Sequence, residues 1–309
     1  MSRPDLSVQI GPVRLKNPVL TASGTCGYGR EYEAYLDLSR LGGFITKSVT
    51  LRPRAGNEPP RIVETPGGML NAIGLANVGL ERFLAEKVPE MATLGTAVFV
   101  NVAGHSVEEY VEVCRTVDTI ECVAGIELNV SCPNVSDGLT FGTDADLLRK
   151  LVATVRAVVQ HGALIVKLSP NVTDITATAR ASIDGGADAL SMINTYLGMK
   201  IDIDSQRPVL ANVSGGVSGP AVRPMAVYLV HQVYTSVARE AGIPIIGMGG
   251  VGGWEDAVEF LLAGATAVAV GTALFVHPDA PIGIIEGLEG YLVQKGLASV
   301  AELTGKLSS

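Results

Sequence analysis

The sequence predicts a parallel (β/α)8 barrel, and three observations carry that expectation. Short apolar runs recur eight times along the 309 residues. Each ends in a polar or glycine-rich tip, and most are followed by a segment with helical spacing. Polar residues at the C-terminal ends of all the runs are what a barrel requires, because its site is assembled from the loops on that face. A doubly wound sheet, the alternative, gathers ligands at one switch point instead. Composition agrees: 36 glycines with only 5% aromatics suit many tight strand–helix turns. The length fits one large domain, residues 1–309, with neither linker nor low-complexity tract.

In chain order, Leu6–Leu15 alternates around Gly11-Pro12 and reads as an N-terminal β-hairpin ahead of the main architecture. The first barrel strand, Val19–Ala22, opens into Ser23–Gly29, and the second, Gly43–Thr46, ends at Lys47-Ser48. A long insertion follows, with Arg61–Glu64 and Gly67–Asn77; its glycines and asparagines argue against a regular element, and loops of such length are usually functional. Ala97–Val100 ends at Asn101, and Ser106 with Glu109 forms a capping box for the next helix. The run Gly125–Val130 delivers Ser131-Cys132-Pro133-Asn134, where Pro133 keeps Cys132 out of the helical region. A polar loop, Val135–Gly142, precedes a helix marked by Leu147, Leu148, Leu151, Val152 and Val155. Ala163–Val166 ends at Lys167, and Ala189–Ile193 ends at Asn194-Thr195. A second insertion, Tyr196–Pro220, is also read as a loop over the C-terminal face. Ile243–Ile246 then runs into Gly247–Val251, and Ala267–Val270 into Gly271-Thr272.

Charge and cysteine usage exclude several classes. A formal charge of −8 without any Lys/Arg block speaks against nucleic acid. The longest uncharged run, 260–276, is broken by Gly264, Thr266, Gly271 and Thr272 and reads as a helix end plus a strand, so no membrane span is expected. Met1–Leu6 lacks the apolar core of a signal peptide, and a reduced, cytoplasmic protein is the expectation. Cys26, Cys114, Cys122 and Cys132 form neither a CxxC nor a CxxxxCxxC pattern, so no metal site is expected; Cys114 reads as packing.

The strand ends carry the chemistry. Gly249-Gly250 and Gly271-Thr272 follow the last two runs, where a barrel places its phosphate cradle. Lys47 and Lys167 each terminate an apolar run, and a lysine with a buried stem there needs an anionic partner. Together these favour a flavin mononucleotide-like cofactor and a carboxylate substrate, one ammonium facing electron-rich reduced flavin and the other the carboxylate. Schiff-base chemistry is the competing role for such a lysine, but needs no row of asparagines. Asn71, Asn101, Asn129, Asn134 and Asn194 all fall at strand ends or site loops and look like a hydrogen-bonding lining for a heterocycle. Beside a flavin, the Cys132 thiol can take a proton, since a modest depression from about 8.5 makes it a usable base. Of His105, His161, His231 and His277 only His105 lies in a motif tip, which leaves a Cys–His hydrolase poorly supported.

These stretches resemble the class 1 dihydroorotate dehydrogenases, and more narrowly the class 1B, NAD-dependent catalytic subunits. The carriers are Ala22–Thr25, Thr46–Ser48, Asn71–Leu75, Asn129–Asn134, Val166–Pro170, Ile193–Thr195, Gly215–Pro220 and Gly249–Val251, spread over nearly the whole chain. The Asn194-Thr195 to Ile203 block with its Gly-Gly-x-Ser-Gly-Pro sequel separates this group from the fumarate-using class 1A. The resemblance implies an FMN-bearing barrel that oxidises (S)-dihydroorotate to orotate in pyrimidine synthesis, with Cys132 as the base at C5. Substrate would be bound by Lys47, Asn71, Ala72, Ile73, Gly74, Leu75, Asn129, Asn134, Asn194 and Thr195. FMN would be held by Ser23, Lys47, Ser48, Asn101, Asn129, Lys167, Ile193, Gly219, Gly249, Gly250, Gly271 and Thr272, with Val135–Gly142 as a lid. It further implies a homodimer joined to a second subunit carrying FAD and a [2Fe–2S] cluster, a heterotetramer that passes electrons to NAD+. Two departures bear on loop shape: Cys26 stands where an aromatic residue is expected, and Val78 where a proline is common. Other enzyme readings are a class 1A-like enzyme, a dihydropyrimidine dehydrogenase-like enzyme, whose substrate lacks the carboxylate Lys47 needs, and a tRNA-reducing flavoenzyme, opposed by the acidic balance. A catalytically silent flavin-binding subunit is opposed by Cys132 and both lysines.

Overall fold

A computed structural model describes residues 3–131 and 141–308. Eight parallel strands close into a barrel: β1 (Val19–Thr21), β2 (Gly43–Ile45), β3 (Ala97–Val102), β4 (Val123–Asn129), β5 (Ala163–Lys167), β6 (Ala189–Met192), β7 (Ile245–Met248) and β8 (Ala267–Val270). Each pairs with its neighbour in sequence, and β8 returns to β1 through Val268 opposite Val19. The expected strands are all present, as the (β/α)8 architecture requires. β7 starts after Pro244 rather than at Ile243, since proline has no N–H to give the ladder.

Side chains along a strand alternate between the two faces. Thus Glu127 on β4 points into the barrel, bonded to groups on β3 and β6, while Ile126 and Leu128 are buried on the opposite face. The helices around the barrel bring matching apolar faces: in Ala145–Arg156, Leu148, Leu151, Val152 and Val155 are buried, as the sequence spacing predicts. Their starts are fixed by side-chain caps. Ser106 accepts from the Glu109 amide, Asp144 from Leu147 and Asp174 from Thr176. Glu109 reaches back to the His105 amide at 2.8 Å, so the box closes one residue earlier than expected. Cys114 is fully buried on its helix, as expected for packing. Among the described residues no helix is long and apolar enough to cross a membrane.

The N-terminal hairpin, Val8–Ile10 with Val13–Leu15, forms as expected, its turn at Gly11 having φ +54°. The two insertions depart from expectation. Instead of irregular loops they supply a four-stranded antiparallel sheet, in the order Tyr196–Gly198, Gly215–Ser218, Gly68–Asn71 and Ile62–Thr65, and a two-stranded one of Ile201–Asp202 with Arg207–Pro208. The pairing joins segments such as Gly216 and Asn71 that local composition cannot relate. The glycines that argued against strands are what permit it: a Cβ on Gly68 would lie 2.0 Å from the Ser218 carbonyl oxygen.

Candidate active site

The C-terminal ends of the strands hold a buried polar cluster. Lys167, the last residue of β5, is 5% exposed, and its ammonium donates to Ser23 Oγ at 2.9 Å. Glu127 Oε1 stands 3.8 Å from the same nitrogen. Glu127 is fully buried and accepts from Asn101 Nδ2 at 2.7 Å on one oxygen and from Ser191 Oγ at 2.7 Å on the other. Ser48 Oγ donates to Asn101 Oδ1. A buried ammonium needs compensation, and Glu127 supplies it. The ammonium has three donors, however, and among the described residues only Ser23 lies within hydrogen-bond distance. Ser23, Ser48, Asn101 and Lys167 thus come together, with two donors left open.

Asn129, Asn194 and Asn71 converge beside them. Asn129 stands opposite Lys167 in the β4–β5 register, and its carbonyl accepts from Tyr110 Oη at 2.7 Å. Asn194 Nδ2 donates to Ser131 Oγ at 2.9 Å and approaches Asn129 Oδ1 at 3.4 Å, while its own Oδ1 accepts from the Thr195 amide. Asn71 Nδ2 reaches the Gly216 carbonyl at 3.3 Å, and a Cβ on Gly216 would collide with Thr195 Oγ1. The inserted sheet therefore brings Asn71 to Thr195. Ala72 to Leu75 are held by two clamps: Asn57 bonds the Ala72 and Ile73 carbonyls, and Asn77 Nδ2 bonds the Leu75 carbonyl and Thr50 Oγ1. Gly74 and Leu75 both have positive φ, 71° and 55°. Lys47 is half-buried, its amide donating to the Gly27 carbonyl, and its ammonium meets no carboxylate among the described residues. Cys132, Asn134 and loop residues 135–140 lie outside the described residues; Ser131, bonded to Asn194, is the last one before them.

A third group follows β7 and β8. Gly249 and Gly250 have φ of 123° and 84°, and a Cβ on Gly250 would lie 2.9 Å from the Gly219 carbonyl. A Cβ on Gly249 would meet Ile193 Cγ1 at 3.5 Å, and Thr272 Oγ1 donates to Ser218 Oγ at 2.8 Å. Gly271 lies against Ala22, at the end of β1. Among the described residues no acceptor meets the Gly249 or Gly250 amide. Unsatisfied amides in glycine backbone are suited to holding an anion.

Sequence reasoning missed Glu127, Ser191 and Ser218. Glu127 lies within the apolar run of β4, where alternation places every second residue inside, and that was the available signal. As for the departures, Cys26 is fully buried and burial pushes its thiol up to about 12, which removes it as a nucleophile. Val78 has φ −80°, a value proline also adopts.

The family model for dihydroorotate dehydrogenase matches residues 5–292. The chain is 53% identical over 308 residues to the dihydroorotate dehydrogenase B (NAD(+)) catalytic subunit of Geotalea daltonii, covering 99% of both chains. The like-named subunits of Geotalea uraniireducens and Geobacter sulfurreducens are also 53% identical over 308 residues, again covering 99% of each chain. The chain belongs to the dihydroorotate dehydrogenase family.

Proposed function

We propose that this chain, a single domain over residues 1–309, oxidises (S)-dihydroorotate to orotate with FMN as cofactor, in the cytoplasm. The observation that carries the reading is the buried Lys167 ammonium with two open donors, set among Ser23, Ser48, Asn101 and Asn129 at the strand ends. A flavin is the occupant that this cluster suits. When bound, FMN supplies an acceptor for the hydride from C6.

The chain's residues do the rest. The open amides of Gly249 and Gly250, with Gly219, Gly271 and Thr272, hold the phosphate. Lys167 would supply positive charge that favours an electron-rich reduced ring, and Ser23, Ser48, Asn101, Asn129 and Ile193 would line the ring. Lys47 pairs with the substrate carboxylate, a partner that no described residue provides. Asn71, Ala72, Ile73, Gly74, Leu75, Asn129, Asn134, Asn194 and Thr195 orient the pyrimidine. Cys132, following Ser131, takes the proton from C5. As a class 1B subunit the chain forms a homodimer that joins an FAD and [2Fe–2S] subunit as a heterotetramer, through which electrons reach NAD+.

Purifying the chain alone and with its candidate partner tests this. The expected result is a yellow FMN-bearing chain that oxidises dihydroorotate with a dye, and with NAD+ only when the partner is present. Rapid turnover with fumarate instead points to a class 1A enzyme. Cys132→Ser keeps the flavin spectrum but slows flavin reduction by at least about a hundredfold at neutral pH. Full-speed reduction in that variant removes Cys132 from the base role.

A further inference from the structure

Glu127 is given no role by the proposed reaction, although with Asp118 and Lys167 it is one of the buried charged residues among those described. A fully buried carboxylate is costly, and a buried ion pair is often no more stable than apolar side chains of the same volume. Stability alone therefore does not explain why an acid sits inside β4. Its surroundings do. One oxygen takes Asn101 Nδ2 and stands 3.8 Å from the Lys167 ammonium; the other takes Ser191 Oγ. At 3.8 Å the ammonium is attracted by charge without being tied by a hydrogen bond, and its one bond runs to Ser23 instead. The carboxylate also settles which way the Asn101 amide faces: Nδ2 toward Glu127, Oδ1 toward Ser48.

We infer that Glu127 is a positioning residue for the flavin ring, fixing the Asn101 amide and offsetting the Lys167 charge so that reduced flavin is stabilised only in part. This rests on the flavin reading of the site. The sign follows from electrostatics: with the anion gone, Lys167 acts alone, the electron-rich reduced ring is favoured, and the reduction potential rises.

The test measures the potential of FMN bound to the chain by equilibration with a reference dye. Glu127→Gln keeps the shape and removes the charge; its potential rises by about 30 mV or more, tenfold in the two-electron equilibrium. Glu127→Asp retains the charge and shows less than half that shift. The double variant Glu127→Gln/Lys167→Met removes both charges together and returns toward the wild-type value, a coupling expected of groups that act on each other. It also serves if the single Gln variant does not fold. An unchanged potential in Glu127→Gln, or a double variant as far from wild type as the single one, overturns the inference while wild-type flavin binding stands. A wild-type chain that binds no FMN overturns the flavin reading and this inference with it.

Discussion

Both mouths of the barrel contain polar groups withdrawn from water, and they differ in whether those groups are satisfied. Beneath the N-terminal ends of the strands, Asp118 accepts from the amides of Gln160 at 2.7 Å, His161 at 3.1 Å and Gly162 at 3.0 Å. His161 Nδ1 lies 2.9 Å from it as well. Asp188 Oδ2 accepts from the Leu164 amide and from Arg156 Nη1, both at 2.8 Å, and the turn at Gly11 packs on its side chain. These bonds close one chain segment onto another. At the C-terminal ends, Lys167 has a single bond, Lys47 has no carboxylate, and the Gly249 and Gly250 amides face no acceptor among the described residues. Withdrawal from water is therefore common to both faces; open donors mark the one proposed to bind.

The sharpest way to break this contrast is to remove the Lys167 side chain. Lys167→Ala leaves Glu127 as a buried carboxylate without its cation, which costs about 3–5 kcal/mol of stability. FMN affinity falls with it, so urea denaturation and FMN titration change together. An Ala variant as stable as wild type would show that the two charges are not coupled. On the other face, Asp118→Ala strands the amides of residues 160–162 and costs about 2–3 kcal/mol in urea denaturation. Flavin binding and flavin reduction are unaffected in the folded variant. If that change lowers FMN affinity, the separation of the two faces fails.

The sequence makes these two faces unequally visible. The barrel was legible because its signal is local: an apolar run of four or five residues such as Ala163–Lys167, ending in a polar residue. Lys47, Lys167 and the asparagines were legible for the same reason, each standing at a run's end. Glu127 was not, because it sits inside a run and its meaning depends on Asn101 and Ser191 on other strands. The inserted sheet was hidden by distance, since Asn71 finds its partner at Gly216. The Asp118 cluster was hidden too: it joins a helix end to the start of β5, and an aspartate after a helix carries no local mark of that bond.

A smaller effect sharpens the contrast within the binding face. Gly250 has φ +84°, and a Cβ there would lie 2.7 Å from Arg223 Cβ. Gly250→Ala costs about 1–2 kcal/mol from the backbone conformation alone. Because the strain falls on a cradle amide, FMN affinity drops by about tenfold, a change of roughly 1.4 kcal/mol. Fluorescence titration of the apo chain with FMN reads it. A variant that loses stability but keeps wild-type affinity would place the phosphate elsewhere.

The smallest effect separates charge from hydrogen bonding on the closed face. Burial raises the Asp118 carboxyl's affinity for a proton, but the amides of Gln160, Gly162 and His161, with the His161 ring, outweigh it and hold the pKa below the usual value. A carboxylate whose folded pKa is depressed contributes stability above its unfolded pKa and loses it as pH falls through the folded one. The gap in stability between wild type and Asp118→Asn is therefore constant above about pH 5 and closes below about pH 4, the range of an unperturbed aspartate. Urea midpoints for the two proteins across that range measure it. A gap that persists undiminished into acid would mean that the N-terminal face is held by the shape of residue 118 rather than by its charge, and the two faces would then differ in hydrogen-bond count alone.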